Sequence, residues 1–156
     1  MEVRIETLDD IEIVRVRHVG PYGEVGPCFE RLFEWVATIG ARPGRVLGIY
    51  HDDPSVVAPE RLRADACVEV RTDASPPPGV IIDTIAAGRY AVYTHRGPYD
   101  GLPEAYKLLY GMWLPQSGEE VGDRPCLEMY HNSPVDTAPA QLVTDVCLPL
   151  RATPNG

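Results

Sequence analysis

Ile11, Ile13 and Val16 alternate with charged residues, which predicts a half-buried strand over Glu12 to His18. Gly20-Pro21 breaks it. From Glu24 to Ile39 the period changes. Val25, Cys28, Phe29, Leu32, Phe33 and Val36 fall on one stripe of a helix, and Gly40, Pro43 and Gly44 stop it. A short strand follows over Arg45 to Tyr50, then a turn at Asp52-Asp53-Pro54, a short turn at Pro59 to Arg61 and a strand over Arg63 to Arg71. Asp73 to Gly79, with Pro76-Pro77-Pro78, reads as a stiff linker. Beyond it the pattern gives strands at Val80 to Ile85 and Arg89 to His95, with a turn at Gly88. A helix from about Leu102 to Leu114 carries Leu102, Ala105, Tyr106, Leu109, Met112 and Trp113 on its stripe. Pro115 to Pro125 reads as a polar loop, Cys126 to Tyr130 and Leu142 to Leu150 as strands, and Arg151 to Gly156 as a frayed tail.

The two series share more than their order. His18-Val19-Gly20-Pro21-Tyr22 returns as His95-Arg96-Gly97-Pro98-Tyr99 at an offset of 77. Tyr50-His51-Asp52-Asp53-Pro54 returns as Tyr130-His131-Asn132-Ser133-Pro134 at an offset of 80, and Ala58-Pro59 with Leu62, Asp65 and Cys67 returns at the same offset. The chain therefore reads as a tandem duplication of a β-α-β-β module in an α+β protein. A half of about 75 residues is marginal alone. Two such halves packed about a pseudo-twofold axis would leave a cleft between the modules, a natural ligand site. Residues kept in both halves are expected to be architectural; those present in one half are where function is sought.

Apolar residues make up 44% of the chain and charged residues 24%, ordinary for a globular protein. No apolar run approaches the ~20 residues that span a bilayer. Met1 to Asp10 is charged and alternating rather than a signal peptide, so a cytoplasmic location is the expectation, with no membrane partner. The net charge is −9 and Lys107 is the only lysine, which argues against direct nucleic acid binding and favours a cationic or neutral ligand. None of Cys28, Cys67, Cys126 and Cys147 lies in a C-x-x-C pair; Cys67 and Cys147 read as buried, reduced core residues. No phosphate loop, dinucleotide glycine motif, nucleophile elbow or H-E-x-x-H is present, so no cofactor is expected.

All four histidines come in repeat pairs, His18 with His95 and His51 with His131. They are read as framework groups bonding nearby carbonyls, and metal ligands are assigned to none of them. Asp65 and Asp145 are likewise duplicated and structural, and Asp52-Asp53 is a turn. Glu128 differs, because the offset of 80 sets it opposite Gly48 in the other half. Cys126, Glu128 and Tyr130 share one face of their strand, Leu127, Met129 and His131 the other, and both faces are partly apolar. A carboxylate there is a functional candidate, since burial costs several kcal/mol unless it is paired, hydrogen-bonded or protonated. The structural alternatives are an exposed strand edge or a pair with Arg124. Tyrosines outnumber phenylalanines eight to two, and a flat face with a polar tip suits a pocket for planar ligands. Tyr50, Tyr99 and Tyr130 are candidate ligand contacts, while Tyr106 and Tyr110 are assigned to core packing. Trp35 sits at the edge of its stripe and leans over the expected cleft; Trp113 is core. Glu69, whose repeat partner is Pro149, is a second, weaker pocket acid.

Six stretches carry a family resemblance, three in the first half, His18-x-Gly20-Pro21, Tyr50-His51-Asp52-Asp53-Pro54 and Ala58-Pro59-Glu60-x-Leu62-Arg63, and three in the second, Gly88-x-Tyr90-Ala91-Val92, Gly97-Pro98-Tyr99 and Pro125-Cys126-Leu127-Glu128-Met129-Tyr130. In order and spacing, over roughly residues 2 to 150, the chain resembles the GyrI-like small-molecule-binding domain family. That family takes in SbmC-like DNA gyrase inhibitor proteins and the effector-binding domains of AraC- and MerR-type multidrug regulators. The resemblance implies one domain over 1–156 built from two SHS2-like repeats, about 1–75 and 80–150, with an aromatic cleft between them. It also implies a glutamate, here Glu128, that pairs with cationic drugs. A helix-turn-helix extension is not expected, because the first module starts at the first residue. The expected function is binding of small amphipathic, aromatic or cationic molecules for drug or toxin sensing, sequestration or protection. The ligand contacts would be Glu128, Tyr50, Tyr99, Tyr130, Trp35 and Glu69. The enzymatic alternative is a hydrolase opening cyclopropane-containing DNA-alkylating compounds, with Glu128, Tyr99 and Tyr130 catalytic. DNA gyrase enters as a partner by resemblance only.

Overall fold

The structure is a computed structural model and describes residues 1–152. Its strands are β1 (Val3–Leu8), β2 (Ile11–Val19), β3 (Val46–Tyr50), β4 (Arg63–Glu69), β5 (Val80–Ile85), β6 (Gly88–Arg96), β7 (Cys126–Tyr130) and β8 (Val143–Pro149). Its helices are α1 (Gly26–Thr38), α2 (Leu102–Leu108) and α3 (Leu114–Ser117). The chain divides into two compact α+β units, Asp10–Ala86 and the pairing of Met1–Asp9 with the chain from Ala87 onward.

In the unit Asp10–Ala86 the strands run in the order β3-β4-β2-β5, all antiparallel. The alternation of β2 sends Val14 and Val16 to one core with Val68, Val70 and Val80. The stripe of α1 adds Leu32 and Val36, four residues apart and therefore on one helix face. Each such side chain contributes roughly 1.5–3 kcal/mol on burial. The helix ends where Gly40 takes φ 67°, the left-handed conformation that closes helices at low cost.

The other unit has the order β1-β6-β8-β7, again antiparallel. Its core joins Ala91, Leu148 and Leu150 to Trp113 and Leu114, and a second cluster joins Leu102, Leu109 and Val146 to Tyr93 and Tyr106. Trp113 is therefore packed as core.

Two features depart from the expected modules. The segment Val3–Leu8 is a strand, so each sequence repeat reads β-β-α-β-β rather than β-α-β-β. Its weak pattern has a physical cause: half of its six residues are exposed, Ile5 at 46% among them, and the charged Arg4 and Glu6 interrupt its few apolar positions. The leading strands also pair across the repeats. Strand β1 pairs with β6 through Ile5↔Ala91, and β5, which leads the second repeat, pairs with β2 through Val14↔Ile82. The chain consequently passes from one unit to the other at Asp9/Asp10 and Ala86/Ala87, and the proline linker lies inside one of them.

The second departure is in the helix, which continues past Leu114 to Ser117 instead of giving way to a loop at Pro115. Leu109–Trp113 forms a π turn, in which the Leu114 amide bonds the Leu109 carbonyl five residues back. Pro115 has no amide to donate and its ring crowds the preceding turn. Widening the helix just before it relieves both problems. Gly118, at φ 77°, then caps the end.

The paired framework residues behave alike in both units. The His18 and His95 Nε2 atoms lie 2.8 and 2.9 Å from the carbonyls of Pro21 and Pro98. Gly20 and Gly97 stand at φ 137° and 128° where the chain turns into those prolines. His51 and His131 bond carboxylates rather than carbonyls, those of Asp65 at 2.6 Å and Asp145 at 2.7 Å. Arg151 is tied back to Glu120 by its amide; the remainder of the expected tail, 153–156, lies outside the described residues. No helix among the described residues is long and apolar enough to cross a membrane.

Candidate functional site

Glu128 occupies the middle of β7, where it pairs in register with Val146 of β8. Its neighbours Leu127 and Met129 are buried, and Glu128 itself is only 5% exposed. The strand that the hydrophobic pattern demands thus carries a carboxyl into an apolar layer.

Two phenols meet it there. Tyr130, two residues along the same face of β7, donates to Oε1 at 2.9 Å. Tyr106 of α2 donates to Oε2 at 2.7 Å, while its ring packs with Leu102, Leu109 and Val146. Tyr99, in the 3-10 turn after Pro98, sets its ring edge against that of Tyr130 at 5.8 Å and 64°, and is 36% exposed. One helical turn beyond Tyr106, the Tyr110 hydroxyl lies 3.3 Å from Cys126 Sγ. A row of side chains on α2 and the π turn therefore faces a row on β7.

Burial pushes the Glu128 carboxyl above the usual carboxylate range; hydrogen bonds from Tyr106 and Tyr130 and the positive field of His95 pull the other way without cancelling it. Burial also raises Tyr99, and the Glu128 charge adds to that. Arg124 is not the counter-ion. Its Nη2 donates to the carbonyls of Arg89 and Leu150, at 2.9 and 3.0 Å, and the guanidinium covers the Tyr90 ring. The cluster can offer a ligand a desolvated acid, two hydroxyls on its oxygens and the aromatic rings of Tyr99, Tyr106 and Tyr130.

Glu128, Tyr99 and Tyr130 are thus brought together. Tyr50, Trp35 and Glu69 belong to the unit Asp10–Ala86 and have other contacts there. Tyr50 meets Tyr22 edge to face at 4.9 Å, the counterpart of the Tyr130–Tyr99 pair. Trp35 packs on the core of Val14, Leu32 and Val36 rather than leaning into open space. Glu69 is held by Arg45, with Nε on Oε1 at 2.8 Å and Nη2 on Oε2 at 3.0 Å. That pair keeps its carboxyl below the ordinary range, unlike a pocket acid. Among the described residues, no group of three or more His, Cys, Asp and Glu side chains could hold a metal.

The helical stripe assigns Tyr106 to packing, and its ring packs with Leu102, Leu109 and Val146. The hydroxyl had its own signal. At the offset of 77, Tyr106 falls on Phe29 and Tyr110 on Phe33. Both tyrosines add a hydroxyl where the other repeat has none, as Glu128 adds a carboxyl where it has Gly48.

The GyrI-like small molecule binding domain family matches residues 1–151. A DNA gyrase inhibitor from Edwardsiella piscicida is 36% identical over 135 residues, 83% of this chain and 86% of that protein. Among solved structures, the EcmrR C-terminal domain superposes with a TM-score of 0.86 at 18% identity, covering 97% of this chain and 98% of that one. The chain spans 58% of EcmrR in its DNA complex. A structure bound to tetraphenylphosphonium superposes with a TM-score of 0.66 at 13% identity over 97% of this chain and 94% of that one.

Proposed function

We propose, from the premise that the chain belongs to the GyrI-like small-molecule-binding domain family, that it binds aromatic, amphipathic cations at Glu128. The observation that carries this reading is a carboxyl only 5% exposed whose hydrogen-bond partners are phenols. A carboxylate in that setting feels His95 only through space and has no hydrogen-bonded counter-ion among the described residues, and a desolvated organic cation supplies one. Tyr99, Tyr106 and Tyr130 contribute ring faces to the same cation. The role that follows is sensing, sequestration or multidrug protection, in the cytoplasm, which the unbridged cysteines suit.

Tetraphenylphosphonium is the probe of choice, because it binds one fold relative and carries its charge without any hydrogen-bond donor. Titration by fluorescence or calorimetry is expected to show saturable binding. Glu128→Gln is expected to weaken it at least about tenfold, about 1.4 kcal/mol, while leaving neutral aromatics of similar size unaffected. Equal losses for both ligand classes would defeat the charge-selection reading. Incubation with a cyclopropane-bearing alkylating agent separates binding from hydrolysis: one-to-one depletion supports a binder, multiple turnovers a hydrolase using Glu128 as acid or base.

The second reading is an interaction with DNA gyrase, favoured by the name of the 36%-identical relative. We also infer that the chain arose by tandem duplication of an SHS2-like module. The matched His–carbonyl and His–Asp bonds and the equivalent registers Leu47↔Cys67 and Leu127↔Cys147 support it.

A further inference from the structure

Three carboxyls are buried among the described residues, and Glu128 is built unlike the other two. Asp65 faces Arg17, Arg15 and His51, and Asp145 faces His131, Arg4 and Thr94. Arginine can only donate, so protonating either aspartate forfeits bonds. A phenol hydroxyl both donates and accepts. With Tyr106 and Tyr130 each on one oxygen, at 2.7 and 2.9 Å, an ionised Glu128 accepts from both. A protonated Glu128 gives its own O–H to one tyrosine and accepts from the other. The cluster keeps two hydrogen bonds in either state.

The ionisable groups facing Glu128 leave the choice to a ligand. Its own strand presents Cys126 and Tyr130, α2 and the π turn present Tyr106 and Tyr110, and the segment from β6 into the 3-10 turn presents His95 and Tyr99. His95 acts on it only through space, its Nε2 being engaged with Pro98 O.

We infer that the Glu128–Tyr106–Tyr130 cluster exchanges a proton for the cationic centre of its ligand. The inference rests on the reading of this site as a cation binder. On the acid side of its raised range the empty site holds a neutral carboxyl. As the cation enters, the carboxyl O–H bond breaks, its electron pair stays on the oxygen, and the proton leaves to buffer; nothing is oxidised or reduced. The entering charge replaces the departing one, so the buried layer carries no net uncompensated charge at either end of the exchange.

The apparent affinity for a permanent cation then rises about tenfold per pH unit while the carboxyl is protonated in the empty site, and levels off once it is ionised. Tyr106→Phe removes one donor to the ionised form and moves the break to higher pH. Calorimetric titration of the full chain with tetraphenylphosphonium, in buffers of different ionisation enthalpy from about pH 5 to about pH 8, reads the protons released per cation. The expected result is close to one proton on the acid side, falling toward none above the break, and none at any pH in Glu128→Gln. Infrared difference spectra on binding should lose a protonated-carboxyl band in the wild type only. Wild-type binding that is pH-independent, without proton release or band loss, overturns the exchange and leaves the cation site standing. No binding at any pH overturns the cation site and the exchange with it.

Discussion

Asp65, Asp145 and Glu128 are buried alike and titrate in opposite directions. Burial pushes all three up. In Asp65 the bonds from His51 and Arg17 prevail, and in Asp145 those from Thr94 and His131, so both carboxyls end below the usual range. The unfolded chain then binds more protons than the folded one in acid. The stabilisation these two residues give is present above about pH 4 and is lost as pH falls through their lowered values. For Glu128 the folded state holds the proton more tightly, so its contribution is complete below about pH 4 and is lost as pH rises through the elevated value. Glu128→Gln, which cannot ionise, is therefore expected to melt above the wild type at neutral pH, with the gain shrinking as the pH approaches 4. Each kcal/mol gained appears as about 2–4 °C at this chain length, and scanning fluorimetry across pH checks it; an unchanged or reversed trend would show that Glu128 is ionised at no cost. Residue by residue, the glycine opposite Glu128 and the apolar faces of its strand singled that residue out, and its burial bears out that much, while an exposed edge or a pair with Arg124 had stayed open on the pattern alone. The role of Tyr106 was not legible, because helical periodicity reports which way a side chain points and says nothing of what its terminal atom reaches.

Strongly patterned elements were legible to within a residue or two: β7, buried on both faces, falls at Cys126–Tyr130 as its pattern predicts, and α1, buried along one face, lies inside its predicted span. What escaped was β1, half of whose six residues are exposed, and the helix beyond Pro115, where a proline ordinarily signals a stop. The edge position gives β1 a stability role that its pattern conceals. It pairs with β6 from Val3↔Tyr93 to Leu8↔Gly88, and Arg4 reaches Thr94 and Asp145 at 3.0 and 3.3 Å. Removing residues 1–8 strips those bonds, unseats Val3 from the core and bares the edge of β6. The expected cost is at least about 2 kcal/mol, together with a tendency to associate through the exposed strand. Thermal melts and size-exclusion chromatography at several concentrations test both parts. A truncated chain as stable and monodisperse as the parent would mean the strand is dispensable.

Over the whole molecule the charge of −9 with a single lysine bears on the choice of partner. Such a surface repels nucleic acid and attracts cations and basic protein surfaces. If the gyrase reading holds, micromolar protein should slow supercoiling in low salt, and the effect should fade as ionic strength rises. No inhibition in low salt removes that reading. The exchanged leading strands carry a different consequence, for ancestry. On the proposed duplication, a solitary ancestral repeat had no second repeat in its own chain to receive its first strand. Such a repeat could satisfy that strand by lending it to another copy and borrowing one in return, as a domain-swapped homodimer. Gene fusion would then have turned an association that depends on concentration into one that does not. It would also have freed the two copies to diverge, so that one could acquire a carboxyl at position 128 while the other kept a glycine at position 48.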